Sequence, residues 1–516
     1  MPSFFKFLRD LIWAKDTSDT SFSAGVKAWV KYEKTRELRY LEKAVQNHQA
    51  ALDARVSAHP GRAESLYHTA MALWAQSQLG AITKENATIV ISYYEEALRL
   101  LPPVDKAGHR AIIYNNLGLV YFRLFRLGEE NPEAFPDIGP NLDKAIENHR
   151  SALKLKAERD DPNRPTSLIN LSIALIQKDS EADLTHAITY LGEAVELCTA
   201  KASDRHSLIL ALNSLAEAHD GRYYHSGDVN DVVGQVDALR KVLDLLTDER
   251  KGRLIPLLNL TNGLWRLCEQ QPDRGDDLDE AVRCGQEALK LSDKSDKITH
   301  FNVLLTLADV LFTRYTQIDQ KSVTDLDQAI QYYREAIDPS PDPGEGPDPV
   351  LYSSLASAIY VRCQDFGEVE GVTLEHAFSY GLEALHSCPQ DDPLYLKIRN
   401  DLGIIYSAQL KNSGEEGDLA KGVPSSEDTV PPCPPNEQDY AHFTEAFKDA
   451  KWIFQDRPGG SEASDETVST RSHSRSRAGS VRSLASSVSA RSMARSVSRS
   501  STRQLSLSQP PLPMLT

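Results

Sequence analysis

The sequence lacks the features that mark membrane-spanning, secreted and metal-stabilised proteins. No stretch approaches the ~20 consecutive apolar residues that a transmembrane helix needs, and the N-terminal phenylalanines are followed at once by Arg9 and Asp10, unlike a secretory leader. The six cysteines include no C-x-x-C pair, which argues against a disulfide framework and against a zinc site. These absences predict a cytoplasmic protein, with the nucleus as the alternative, and no cofactor or metal.

Catalytic motifs are missing as well. The 516 residues contain no G-x-x-x-x-G-K-[ST] phosphate loop, no H-E-x-x-H pair and no G-x-S-x-G nucleophile elbow. The histidines are scattered along the chain, and His48 and His149 share one position of the repeat described below, where packing is favoured over metal binding. The sequence therefore predicts a protein that is not an enzyme, with no catalytic, cofactor-binding or metal-binding residue.

Negative charge is absent from the C-terminal end, although the whole chain carries a net charge of −17. After Glu466 there are eight arginines and no acidic residue, so positions 1–466 carry 49 basic against 74 acidic residues. A body this acidic repels nucleic acid and favours basic or neutral partners.

One apolar pattern recurs eight times, at intervals of 42 to 55 residues. It consists of an apolar residue, a second small or apolar residue three positions later in most copies, and a small–aliphatic pair ten and eleven positions later. The eight copies start at Leu41, Ala87, Leu142, Leu184, Val232, Leu278, Leu326 and Leu374. Seven of the eight tenth positions are alanine. These offsets share one face of a helix, and alanine lets a second helix approach closely, so we expect the face to be buried.

A second apolar motif, usually leucine followed by glycine or alanine, precedes most copies of the first. It starts at Leu117, Leu171, Leu215, Leu260, Leu307, Leu355 and Leu402, in phase with the first pattern. Segment 62–79 supplies the corresponding helix before Ala87. Each repeat is therefore predicted to be two helices joined by a connector, with prolines such as Pro102 and Pro389 between repeats, where a helix must stop.

The paired motifs resemble the tetratricopeptide repeat, with Leu-Gly/Ala-x-x-Tyr on the first helix and Ala-x6-Ala on the second. The resemblance covers roughly residues 36–410. The repeat of this chain is longer, with a period of about 48 residues, whereas the tetratricopeptide repeat has about 34. The Asp-Leu-Asp openings at 277–279 and 325–327 are similar to fungal arrays that often accompany a caspase-like peptidase or NTPase domain. The resemblance implies an all-α, right-handed α-solenoid of about eight or nine helical pairs that binds other proteins.

The resemblance also suggests a binding surface. A polar residue stands directly before each motif leucine, and in tetratricopeptide arrays this position faces the concave groove. The polar row consists of Asn116, Asn170, Ser214, Asn259, Thr306, Ser354 and Asp401. Short amides and hydroxyls in register could hold the backbone of an extended peptide. The alternative is that they form hydrogen bonds between neighbouring repeats.

The remaining segments differ in composition from the array. We predict an N-terminal amphipathic segment or cap over 1–35, the array over 36–410, a disordered Pro-rich loop over 411–438, a capping helix over 439–456 and a disordered Ser/Arg-rich tail over 457–516. Residues 4–13 group five apolar side chains on one face, which predicts a cap on the first repeat. Contact with a membrane surface is the alternative.

The tail offers sites for regulation. Ser474, Ser480, Ser498 and Ser506 each follow an arginine by three positions, a spacing that suits basophilic kinases. The function predicted from the sequence is a scaffold or adaptor that binds a protein or peptide in its concave groove, regulated by phosphorylation of the tail. Two alternatives remain, a regulatory subunit acting in trans on a peptidase or NTPase, and an RNA-associated protein that uses the Arg/Ser tail.

Overall fold

A computed structural model describes residues 2–413 except 81, 103–107, 157–160, 202–204, 248–249, 272–273, 319–321 and 338–347. It gives the backbone alone for 2–17, 201, 250, 251, 410, 411 and 413. Most of the predicted loop over 411–438 lies outside the described residues. The predicted capping helix over 439–456 and the tail over 457–516 lie outside them entirely.

The described residues form seventeen helices, divided into two compact units between Gly227 and Asp228. In the first unit the helices are α1 (Pro2–Thr35), α2 (Leu38–Ala54), α3 (Arg62–Leu79), α4 (Lys84–Leu100), α5 (His109–Glu130), α6 (Ile138–Leu155), α7 (Arg164–Lys178), α8 (Glu181–Lys201) and α9 (Arg205–Ser226). In the second unit they are α10 (Val229–Leu245), α11 (Arg250–Gln270), α12 (Gly275–Leu291), α13 (Lys297–Gln317), α14 (Val323–Ile337), α15 (Pro349–Phe366), α16 (Leu374–Ser387) and α17 (Pro393–Ser413).

Each unit is an array of helices in which consecutive helices pack as pairs. The first unit contains the pairs α1/α2, α3/α4, α5/α6 and α7/α8, followed by α9, which packs on α7 and α8. The second begins with α10 against α11 and continues with α11/α12, α13/α14, α15/α16 and α17 against α16. We call the odd-numbered helices A and the even-numbered helices B. The all-α fold is confirmed, since the described residues form no strand beyond a single bridge between Val369 and Val372.

The alanine pattern is buried as predicted. All eight copies of the first pattern lie on B helices, and their tenth positions are each 0% exposed. These positions are Ala51, Ala97, Ala152, Ala194, Val242, Ala288, Ala336 and Ala384. A methyl group at this point lets the neighbouring helices approach to the short distances that helix packing favours. The repeated alanine is therefore a packing residue.

The structure gives α1 a role that the sequence did not reveal. The sequence predicts an amphipathic segment or cap over residues 1–35, and in the structure α1 packs along α2 as the first helix of a pair. Ala28, Trp29 and Tyr32 of α1 are buried in one core cluster with Leu41 and Ala44 of α2. The pairing makes α1 an A helix, while the domain boundary at residue 35 stays a prediction.

Four A helices carry, in their first turn, an arginine that binds the end of the preceding B helix. Arg110 donates to the carbonyls of Leu98 and Leu101 at 2.8 and 3.1 Å, and Arg164 donates to the carbonyl of Lys156 at 2.6 Å. Arg62 and Arg253 make the same kind of bond to the ends of α2 and α10. The last carbonyls of a helix have no partner within it, so a cation at this place satisfies them and opposes the helix dipole. We call these four residues the arginine caps.

Three arginine caps also bind the B helix of their own repeat. Arg62 pairs with Glu96, Arg164 with Glu193 and Arg253 with Glu287, at 2.7 to 2.9 Å. Each of these side chains therefore joins two successive B helices across the start of an A helix.

Another set of ion pairs explains the Asp-Leu-Asp motif. Arg314 on α13 binds Asp279 at 3.0 Å and Asp325 at 2.7 Å, and Arg362 on α15 binds Asp327 at 2.8 Å. The cation stands seven positions after the motif leucine in both A helices, opposite the start of a B helix. The aspartates thus fix the register between consecutive helices, although the exposed members of such pairs contribute little to stability.

Candidate functional site

The predicted polar row lies on the A helices, and most of it is buried. Five of its seven members are less than 9% exposed, and only Asn259 and Ser354 are half-buried. The buried members are Asn116, Asn170 and Ser214 in the first unit and Thr306 and Asp401 in the second.

Two asparagines of the row donate hydrogen bonds within the protein, although Asn116 Oδ1 and Asn170 Oδ1 accept none from the described residues. The Asn170 side-chain amide on α7 donates to Asn115 Oδ1 on α5 at 3.1 Å, which is a hydrogen bond between neighbouring repeats. The Asn116 amide lies 3.5 Å from the hydroxyl of Tyr94 on the preceding B helix. These asparagines therefore form hydrogen bonds between neighbouring repeats, which was the alternative to peptide binding. Binding of a peptide by the row stays a prediction.

In the second unit, helix α13 extends the row into a polar stripe. Asn302, Thr306, Asp309 and Thr313 are spaced so that they share one helical face, and all four are buried. Thr313 accepts a hydrogen bond from Trp265 Nε1 of α11 at 2.8 Å. The stripe therefore lies against the neighbouring A helix.

Charged side chains on three A helices of the second unit interact electrostatically with Glu269 or Lys397. They are Arg266 and Glu269 of α11, Asp309 of α13, and Lys397 and Asp401 of α17, which we call the inner charged cluster. Arg266 is 2% exposed, whereas Glu269 and Lys397 are half-buried. Asp309 accepts a hydrogen bond from the hydroxyl of Tyr333 at 2.6 Å.

Burial perturbs the acid–base behaviour of the cluster. It raises the pKa of Glu269 to about 7, an effect that Asp309 increases and that Arg266 and Lys397 oppose. Burial also raises the pKa of Asp401 to about 7 and lowers that of Lys397. Asp401 Oδ2 is buried and accepts no hydrogen bond from the described residues. The cluster thus contains carboxyl groups whose charge changes near neutral pH.

Sequence analysis missed most of this cluster because it followed only the position before each motif leucine. Asp401 was found in that way, but Arg266, Glu269 and Lys397 occupy other offsets. Two of the buried charged residues could have been recognised from their apolar neighbours in the sequence. Asp309 interrupts the largely apolar run 303–312, and Arg266 stands between Trp265 and Leu267. A charged residue inside an apolar helix is rarely buried without a partner or a role.

The two repeat-position histidines pack in the core, as predicted. Each ring lies against a glycine of the preceding A helix, His149 on Gly118 and His48 on Gly25. Burial lowers the pKa of His149 to about 3, and burial together with Arg55 lowers that of His48 to about 4. Among the described side chains, no three or more His, Cys, Asp or Glu residues are arranged to hold a metal ion.

The other predicted sites cannot be placed. The phosphorylation sites Ser474, Ser480, Ser498 and Ser506 lie outside the described residues, and residues 4–13 belong to α1 without described side chains. Across the helices that the structure describes, none is both long and apolar enough to cross a membrane.

No protein-family model matches the chain, and no curated protein matches its sequence. Similar solved structures include the apo form of the quorum sensor NprR from B. thuringiensis, with 13% identity and a TM-score of 0.43 over 78% of this chain and 97% of that one. They also include the TPR domain of P58(IPK), with 16% identity and a TM-score of 0.21 over 77% and 99%. A circular tandem repeat protein shows 15% identity and a TM-score of 0.25 over 80% and 100%. Likenesses this distant carry no functional conclusion.

Proposed function

We propose that this chain is a non-enzymatic scaffold that binds a protein or peptide partner, and that the inner charged cluster of the second unit belongs to the binding surface. The cluster is the observation that supports this proposal. Charged groups are costly to desolvate, and a helical repeat needs none of them to pack its A helices. Perturbed pKa values are concentrated at functional sites.

The exposure of the cluster indicates how a partner would meet it. Glu269 and Lys397 are half-buried, so part of each side chain remains open to an incoming side chain or backbone amide. Asp401 adds a buried carboxylate oxygen that accepts no hydrogen bond from the described residues. A peptide that carries both a cationic and a polar group suits this surface, because it would pair with the Glu269 carboxylate and hydrogen-bond to the Lys397 ammonium group.

The proposal also includes the cellular compartment and the regulation of binding. The five described cysteines are free thiols, in keeping with a reducing compartment such as the cytoplasm. Phosphorylation of Ser474, Ser480, Ser498 and Ser506 by a basophilic kinase would cancel the positive charge of the tail and so regulate partner binding.

The test is affinity purification of the full chain, followed by calorimetric titration of each recovered partner with purified components. The cluster variant combines Glu269→Gln with Lys397→Gln. The matched control combines Glu85→Gln with Lys84→Gln, an exposed pair on α4. Equal melting temperatures would show that all variants are folded.

We expect the cluster variant to lose at least one partner that the wild type and the control retain. Unchanged affinities in the cluster variant would refute this surface. A recovered peptidase or NTPase whose turnover changes when the chain is added would instead support the regulatory-subunit alternative.

A further inference from the structure

The turn between α1 and α2 carries a concentration of positive charge on an otherwise acidic body. Six basic residues occur within residues 27–43, against three acidic ones, Glu33, Glu37 and Glu42. We call them the basic tip, and they are Lys27, Lys31, Lys34, Arg36, Arg39 and Lys43. All six are exposed.

Aromatic rings bring the cations of the two helices together. Lys31 Nζ of α1 lies 5.4 Å from the centre of the Tyr40 ring, and Arg39 Cζ of α2 lies 4.8 Å from it. Arg36 lies 5.6 Å from the Tyr32 ring. Cation–π contacts hold these side chains near one another. The ion pair between Arg39 and Glu37 is exposed on both sides, so it neutralises the tip only weakly.

The basic tip stands on a packed core and includes apolar side chains. Trp29 and Tyr32 of α1 and Leu41 of α2 are buried directly beneath it. Val30 is 41% exposed between Lys27, Lys31 and Lys34, and Leu38 is 49% exposed beside Arg39. The tip is thus a fixed, positively charged surface from which two aliphatic side chains project.

We propose that the basic tip binds an anionic lipid bilayer. A bilayer rich in anionic lipid attracts clustered lysine and arginine within a Debye length. Exposed aliphatic side chains add to such binding when they enter the interface, whereas a nucleic acid backbone gives them no comparable environment. This surface shares no residue with the inner charged cluster, and the proposal does not depend on the proposed function.

The experiment is co-sedimentation of the full chain with vesicles of phosphatidylcholine alone or with added phosphatidylserine. The tip variant combines Lys27→Gln, Lys31→Gln and Arg39→Gln. The matched control removes three exposed lysines elsewhere, by Lys84→Gln, Lys290→Gln and Lys294→Gln. The arginine-rich tail and residues 4–13 are identical in all variants, so any contribution they make cancels.

We expect binding that requires phosphatidylserine. Because one cation near an anionic surface is worth about fivefold in affinity, loss of three should weaken vesicle binding by about 100-fold in the tip variant. The control should bind like the wild type. Equal binding by the tip and control variants would overturn the proposal, as would equal binding to phosphatidylcholine alone.

A second comparison separates lipid from nucleic acid. Val30→Ser combined with Leu38→Ser keeps every charge and removes the aliphatic side chains. We expect weaker vesicle binding by this variant and no change in its binding to a single-stranded RNA. If wild-type chain binds the RNA through the tip and vesicle affinity is unaffected by the serine changes, the surface is a polyanion site and the lipid proposal fails.

Discussion

The contact between Gly118 and His149 allows a sharp test of the packing between A and B helices. Gly118 lies within α5, where alanine would ordinarily stabilise the helix by about 1 kcal/mol. A Cβ atom at this position would lie 2.5 to 2.6 Å from three atoms of the His149 ring. His149 is 1% exposed, so its ring has little room to move away.

Two effects of opposite sign therefore decide the outcome of Gly118→Ala. Overpacking of a core costs about 1–3 kcal/mol, which exceeds or cancels the propensity gain. We expect the free energy of unfolding to fall by about 0–2 kcal/mol. Gly192→Ala in α8 is the matched control, because nothing lies within 4 Å of its Cβ position. There the propensity gain acts alone, so stability should rise.

The assay is urea denaturation followed by circular dichroism, with hydrogen exchange of α5 and α6 to localise the effect. The difference between the two alanine variants should be about 1–3 kcal/mol, equal to the overpacking energy. When it is measured in a His149→Ala background, Gly118→Ala should no longer destabilise the protein, because the clash is removed. A stabilising effect of Gly118→Ala similar to that of Gly192→Ala would refute the proposed contact.

Three further predictions follow from the helix packing. Ala288→Leu and Ala336→Leu place larger side chains at fully buried positions, so each should lower stability by about 1–3 kcal/mol, and an unchanged melting temperature would contradict their assignment to the core. The pKa of His149 lies near 3 in the folded chain, below its ordinary 6.5. As the pH falls, the unfolded state therefore takes up the proton first. The free energy of unfolding should be at its full value above about pH 6.5 and should fall toward pH 3. His149→Leu should remove up to about 1.4 kcal/mol per pH unit from that slope in acid denaturation, and an identical slope would show that His149 is not buried in neutral form. Arg164→Met leaves the Lys156 carbonyl without its donor and should cost about 1–3 kcal/mol in thermal unfolding, whereas Arg150→Met on the exposed face of α6 should change it little.

The helical pairs could be predicted from the sequence because most repeats have a small residue at the same position. A close helix contact admits only small side chains, and this requirement recurs at Ala51, Ala288 and Ala336 with the same offset. The position of α1 could not be found in this way. Its contact residue, Gly25, follows an alanine and not a leucine, so the leucine motif of the other A helices does not mark α1.

The candidate site was harder to predict, because burial of a polar residue depends on its neighbours from other repeats. Asn170 has the sequence context of a groove residue, yet Asn115 of the preceding repeat occupies its amide. In the inner charged cluster, Glu269 of α11 interacts electrostatically with Lys397 of α17, a helix far away in the chain. No local pattern reports a pairing over such a separation.

The arginine caps affect which insertions and deletions this protein can tolerate during evolution. Each cap joins an A helix directly to the end of the previous B helix, so the geometry of the joint does not depend on the connector between them. The connectors spanned by the caps indeed differ in length, from four residues at 246–249 to eight at 156–163. Insertions and deletions can therefore accumulate in these connectors without disturbing the stack, and the same places would accept an engineered epitope or reporter.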